Sequence, residues 1–217
     1  MNISEELWLA NQDLIQACLK HPFVQGIAEG NLNPHKFMYY VGQDAFFLKA
    51  FARAYSIAAA KAPDWEGFVT FHALADGVLE ELRLHQSYAT QWKVDLQSVE
   101  AGTATRHYTD FLLATAWSGD ISLIAAAMSP CMSLYGFLGK ELAKKGIPDH
   151  QYAEWIRTYS SDDFQPLIEQ LASLLETYTS DRFAEPPWGY RSLLHSTYHY
   201  AMVCERDFFQ AAWEVDG

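Results

Sequence analysis

An all-α fold is predicted by three features of the chain. Apolar residues recur at three- and four-residue steps almost throughout, sustained period-two alternation is nearly absent, and helix start and stop residues bracket the periodic runs. The 217 residues are 50% hydrophobic and 19% charged, enough apolar material for one core without disulfide or metal staples. Nothing in that length forces a second domain, and no internal repeat, low-complexity tract or linker interrupts it, so one domain over residues 1–217 is expected.

The first helix is predicted to open at Ser4, with Glu5 and Glu6 in its first turn, and to bury Leu7, Leu14, Ile15 and Cys18. Asn33 and Pro34 form a cap followed by proline at the first helical position, opening a long helix that reaches about Lys61. Another begins near Asp64 and carries Phe68, Phe71, Leu74, Val78, Leu82 and Tyr88. A shorter one spans roughly Thr103 to Trp117. Asp120 caps the next, which ends near Lys145, ahead of Gly146 and Pro148. Segments near His150 to Tyr159 and Gln165 to Tyr178 precede a break at Glu185-Pro186-Pro187. A last long helix runs from about Trp188 to Trp213. Long helices with short connections imply an antiparallel bundle.

Charge and cysteine usage narrow the function classes. The 15 Lys plus Arg against 27 Asp plus Glu give a net charge of −12, which repels phosphate backbones, so nucleic acid is not an expected partner. A membrane span is not expected either: the apolar runs are short and the opening residues are acidic rather than signal-like. Cys18, Cys131 and Cys204 form an odd, widely spaced set, consistent with a reducing compartment and a cytoplasmic protein.

Three polar residues fall where the helical pattern wants apolar ones. The stripe Phe37, Tyr40, Val41, Phe47, Leu48, Phe51 contains Asp44. The stripe from Ile121 through Met128 and Tyr135 to Leu142 contains Cys131, directly after Pro130, whose missing N–H frees the carbonyl of Ala126 and opens room beside the thiol. The stripe Leu194, Tyr198, Met202, Phe208, Phe209, Ala212 contains Glu205. A buried carboxylate costs stability unless paired, so the bland alternative for either acid is a structural hydrogen-bond network, and for the cysteine a small apolar filler. A thiol and two acids on the inner faces of three helices, with Phe47, Tyr135 and Phe208 one turn away, are the parts of a pocket that sandwiches a flat ring and attacks it. Glu81 with His85 and His195 with His199 are spaced four apart and could ligate metal from one helical face, a spacing that eight histidines produce by chance. Cys18 and Cys204 read as packing residues.

Six segments in order then resemble the TenA (thiaminase II) family: YYVGQDAFFLKAFARA around Asp44, EELRLHQSYA around His85, YTDFLLATAWSG at Tyr108, AAMSPCMSLYGFLGKEL around Cys131, WIRTYSSDDFQ at Tyr159, and the terminal helix with Glu205. The resemblance implies a haem-oxygenase-like helical bundle without haem or other cofactor, a homotetramer, and an aminopyrimidine hydrolase of thiamin salvage. It places Cys131 on the nucleophile, Glu205 on the acid/base serving the pyrimidine nitrogen, and Asp44 on the carboxylate that holds the amino-pyrimidine edge and the thiol. Phe47, Tyr108, Tyr135, Tyr159 and Phe208 fall on ring-packing and polar-lining positions. Two departures bear on substrate preference: Phe47 stands where several relatives carry tyrosine, and CERDFFQAAWEVDG lacks the usual tyrosine before the glutamate. Thiamin and 4-amino-5-aminomethyl-2-methylpyrimidine both remain open as substrates, the second fitting salvage better. Two rivals stand beside this reading: a non-catalytic binder or regulator that sequesters a thiamin fragment, and a di-metal oxygenase using Glu81, His85, His195 and His199.

Overall fold

The computed structural model describes residues 2–183 and 189–215, with the backbone alone at 84, 87 and 181–183, and contains no strand among them. Its helices are α1 (Ile3–Leu9), α2 (Gln12–Leu19), α3 (Pro22–Glu29), α4 (Pro34–Lys61), α5 (Trp65–Gln91), α6 (Thr103–Ser118), α7 (Ile121–Ala143), α8 (Ala153–Ser160), α9 (Gln165–Phe183) and α10 (Tyr190–Glu214). The all-α expectation holds. Helix α4 packs on α5 and α6, while α7 packs on α8, α9 and α10, and α10 also meets α4 and α6, so the inner faces of α4, α7 and α10 enclose one core.

The long helices begin and end where their capping chemistry dictates. Asn33 Oδ1 accepts from His35 N at 2.9 Å in front of Pro34. Asp64 Oδ1 caps α5 through Gly67 N at 2.7 Å, and Asp120 Oδ1 caps α7 through Ser122 N and Leu123 N, both at 3.1 Å. At the far end of α4, Lys61 Nζ donates to Ala116 O (3.0 Å) and Trp117 O (3.1 Å), joining two helix C-termini through a cation that complements both dipoles. Gln43 ties α4 to the start of α6: its Nε2 donates to Glu100 O at 2.9 Å and its Oε1 accepts from Gly102 N at 2.9 Å.

The N-terminal segment departs from the single helix expected from Ser4. Two helices form, because Asn11 leaves the helical region (φ −117°, ψ 21°) and its Nδ2 takes the carbonyl of Leu7 at 2.8 Å, closing α1 with a side chain in place of the next backbone N–H. Leu7, Leu14, Ile15 and Cys18 are nonetheless all buried. Helix α3 was not anticipated; it is framed by His21 at its N-cap, Pro22 at its first position and Gly30 in the left-handed region (φ 74°). Eight residues are too few for periodicity to declare a helix, and its Phe23, Val24 and Ile27 are held by the core instead. Helix α9 runs past Tyr178 to Phe183, and α10 is described from Tyr190 after Gly189 (φ 86°). The expected start at Trp188 and the Glu185-Pro186-Pro187 break lie outside the described residues.

Two features of α7 set up the interior. It continues without interruption through Pro130, and it is apolar and long enough to cross a membrane by length and composition alone, but 78% of that window is buried against the other helices. Gly139 allows the end of α8 to touch it: a Cβ there would lie 2.4 Å from the carbonyl carbon of Tyr159. That approach seats Tyr159 against the core.

Candidate active site

Asp44 on α4, Cys131 on α7 and Glu205 on α10 come together inside the bundle. The Glu205 carboxyl is within hydrogen-bonding reach of the Cys131 thiol, and Tyr108 of α6 donates its hydroxyl to Glu205 Oε1 at 2.7 Å. Asp44 acts on both through its charge. Its Oδ2 lies 2.7 Å from Nε2 of His85 on α5, at ion-pair distance but without a well-aligned hydrogen bond. Glu81, one turn before His85, accepts from the Tyr159 hydroxyl at 3.3 Å.

The aromatic residues divide between the two ends of this polar core. Phe47 packs on Tyr108 (ring centroids 4.8 Å apart) and Phe208 (6.1 Å) at the Glu205 end. At the Glu81 end Tyr159 packs on Trp155 (4.9 Å), and Tyr135 packs on both (4.8 and 5.8 Å) while lying close enough to Glu205 and Asp44 to feel their charge. Tyr40 joins them, accepting from Trp155 Nε1 at 3.2 Å and donating to the Tyr135 hydroxyl at 3.3 Å. The buried Tyr55 hydroxyl has no hydrogen-bond partner among the described residues, although Cys131 and Glu81 are close enough to act on it electrostatically.

Burial dominates the proton equilibria here, because removing an ionised group from water favours its neutral form. Burial pushes the Glu205 carboxyl up to about 8, against the hydrogen bond from Tyr108 and with help from the charge on Asp44. Burial and then Asp44 push Glu81 up to about 7, with His85 and Tyr159 opposing. The Cys131 thiol is held well above its ordinary range by burial and by the surrounding carboxylates of Glu205, Asp44 and Glu81. For His85 burial works the other way, but the neighbouring Asp44 outweighs it and the imidazole is raised. At neutral pH the site therefore holds a protonated thiol beside a largely protonated Glu205, and an Asp44–His85 pair on the other side.

Cys131 is partly buried, whereas Met132, Leu134 and Tyr135 around it on α7 are buried. A partly enclosed space of about 40 Å³ lies to the Glu81 side and is lined by Phe37, Tyr40, Glu81, His85, Trp155 and Tyr159 among others. Asp44, Cys131 and Glu205 thus converge beside that volume and are not among its walls.

The ligand set of the di-metal alternative is not assembled. His195 Nε2 sits 2.8 Å from Glu6 Oε1 and His199 Nδ1 2.7 Å from Asn11 Oδ1, on the face of α10 that meets the N-terminal helices. Glu81 and His85 face Asp44 instead, and no group of three metal-ligating side chains occurs among the described residues. The four-residue spacing of Glu81 and His85 was visible in the sequence; their engagement with a carboxylate on another helix was not. Tyr40, on the same helix as Asp44, read only as part of the apolar stripe, and Tyr55 carried no signal of its own.

A family model described as the TENA/THI-4/PQQC family matches residues 8–185. Among curated relatives, the chain is 36% identical over 95% of its length to the bifunctional TH2 protein, mitochondrial, of Arabidopsis thaliana, but spans only 36% of that protein. It is 34% identical to an aminopyrimidine aminohydrolase of Halalkalibacterium halodurans over 81% of each chain. Among solved structures, a TenA family transcription regulator from Silicibacter sp. TM1040 superposes with a TM-score of 0.87 at 28% identity, covering 97% of this chain and 96% of that one. Haem oxygenase-1 of Synechocystis sp. PCC6803 shares the fold at a TM-score of 0.60 and 15% identity, over 97% of this chain and 92% of that one.

Proposed function

The chain belongs to the TENA/THI-4/PQQC family, and from that premise we propose that it is a thiamin-salvage hydrolase that displaces a substituent of an aminopyrimidine with water. The observation that carries this reading is the Cys131 thiol in hydrogen-bonding reach of a Glu205 carboxyl that Tyr108 fixes at 2.7 Å.

The chemistry follows from the proton inventory. The electron-poor pyrimidine accepts a nucleophile when a ring nitrogen takes a proton in the same step. A free thiolate is disfavoured at Cys131, so the thiol proton must leave as sulfur attacks. Glu205 is placed for both transfers: it gives its own proton to the ring nitrogen and receives the one from sulfur, so no isolated charge appears in the interior. Asp44, held by His85, accepts from the exocyclic amino group and orients the ring rather than taking the thiol proton. Phe47 and Phe208 supply the flat apolar walls. The adduct expels the substituent from the exocyclic methylene, water adds at that carbon, and the ring then releases sulfur while its nitrogen gives its proton back to Glu205 and Glu205 returns one to the thiol.

The reading is tested by incubating the protein with 4-amino-5-aminomethyl-2-methylpyrimidine and, separately, with thiamin, and following both products. Catalytic turnover of the aminomethyl compound is expected, faster than that of thiamin. Stoichiometric binding with no product would favour the sequestering alternative.

A homotetramer in the cytoplasm completes the reading. Trp65 and Trp117 are 77% and 72% exposed, apolar surface that an isolated subunit would leave in water. Light scattering is expected to give four times the subunit mass of 24.6 kDa; a fully active monomer would contradict the assembly.

A further inference from the structure

We infer that the aromatic pocket around Glu81, beside the thiol, is a cation subsite, built to hold the positively charged leaving group of the substrate, with Glu81 as its counter-ion. The inference rests on the hydrolase reading above and names what that reading leaves open, namely where the departing half of the substrate lies.

The walls are the argument. Phe37, Tyr40, Tyr88, Trp155 and Tyr159 surround the space, and Glu81 is the carboxyl among them. A neutral ligand gains from aromatic walls by burial alone, whereas a cation gains also from the negative faces of the rings, most from tryptophan. A carboxyl inside such a box has no use for a neutral apolar guest and would be a cost to it. The Tyr159 hydroxyl donates to Glu81 Oε1 at 3.3 Å and orients the carboxyl. His85, the other titratable wall, is already turned to Asp44 at 2.7 Å, which leaves Glu81 as the acid able to answer a guest.

The position fits a leaving group. Glu81 is near enough to Cys131 and Asp44 to act on both electrostatically, so a substrate whose ring meets the thiol can project its substituent toward Glu81. Two cationic substituents share this chemistry. An aliphatic ammonium is charged at neutral pH, as the lysine amine is with a pKa near about 10.4, and a thiazolium ring is permanently charged. The enclosed room is about 40 Å³, enough for a group of the size of an ammonium, whereas the larger thiazolium requires the aromatic walls to move apart.

The test compares three ligands in the Cys131→Ser background, where binding is read without turnover: 4-amino-5-aminomethyl-2-methylpyrimidine, thiamin, and the neutral 4-amino-5-hydroxymethyl-2-methylpyrimidine. Glu81→Gln is expected to weaken at least one cationic ligand by about 10- to 100-fold, the range for a hydrogen bond to a charged group, and to leave the alcohol unchanged. Loss confined to the aminomethyl compound assigns the subsite to ammonium; loss confined to thiamin assigns it to thiazolium. Tyr88→Leu, which removes one aromatic wall, should weaken the same cation and not the alcohol. Equal loss of all three ligands would make Glu81 a structural residue and overturn the inference, as would unchanged affinities. If no pyrimidine binds even the Glu81-containing protein, the hydrolase reading fails first, an outcome distinct from failure of the subsite.

Discussion

Cys131→Ser is expected to lower hydrolysis of the aminopyrimidine by roughly 10³-fold or more while leaving its binding close to that of the parent protein, as is typical when a nucleophile is removed. Serine has nearly the same shape and keeps a hydrogen-bonding atom beside Glu205, so the pocket survives. The hydroxyl is a poorer nucleophile and loses its proton far less readily than a thiol, and the surroundings of residue 131 make that worse. Burial and three neighbouring carboxylates already hold the cysteine proton tightly, and an alcohol in the same place would hold it more tightly still. The measurement is steady-state turnover together with direct binding of the substrate. Turnover at the parent rate would remove Cys131 from the chemistry and with it the proton path through Glu205.

The residues on which that expectation rests were legible in different degrees. Asp44, Cys131 and Glu205 stood out because each interrupts an otherwise apolar stripe at 3.6-residue spacing, and an inward-facing polar group is visible in one dimension. That Phe47, Tyr108 and Phe208 gather at Glu205 while Trp155 and Tyr159 gather at Glu81, with Tyr135 between, followed from no spacing, since it depends on how α4, α6, α7, α8 and α10 cross. The partner of Asp44 was hidden for the same reason. His85 lies on α5, and the pair exists only because α4 and α5 pack along their lengths. Its spacing from Glu81 suggested a metal site, a pattern that one helical face produces whether its residues meet an ion or an acid. Helices α1 and α2 escaped as separate elements because a break made by one asparagine side chain carries no periodic signal, and α3 because eight residues are too few to show one. The long helices, with caps at Asn33, Asp64 and Asp120, were read with boundaries within a few residues.

Glu205→Gln provides the second large effect and tests whether thiol and carboxyl work as one unit. Glutamine keeps the shape and can still accept from Tyr108, but it has no proton to give, so turnover should fall by about 10²- to 10⁴-fold, the usual cost of losing a general acid. In the parent protein the active form of Glu205 is protonated, and its pKa is pushed up to about 8, chiefly by burial. The rate should therefore fall as pH rises through about 8, and Glu205→Gln should flatten that alkaline limb within its residual activity. Stability should move with the same sign. A carboxyl whose proton is held more tightly in the folded state than in the unfolded chain contributes stability that is present at low pH and is lost between the ordinary value of 4.5 and about 8. The glutamine variant, having no proton to lose, should melt less pH-dependently than the parent over that interval. The double variant Cys131→Ser/Glu205→Gln decides between partnership and mere proximity: if Glu205 carries the thiol proton to the ring, removing both should cost little more than removing the more damaging one. Losses that multiply would mean that the two side chains act in separate steps, and the single proton path drawn between them would have to be abandoned.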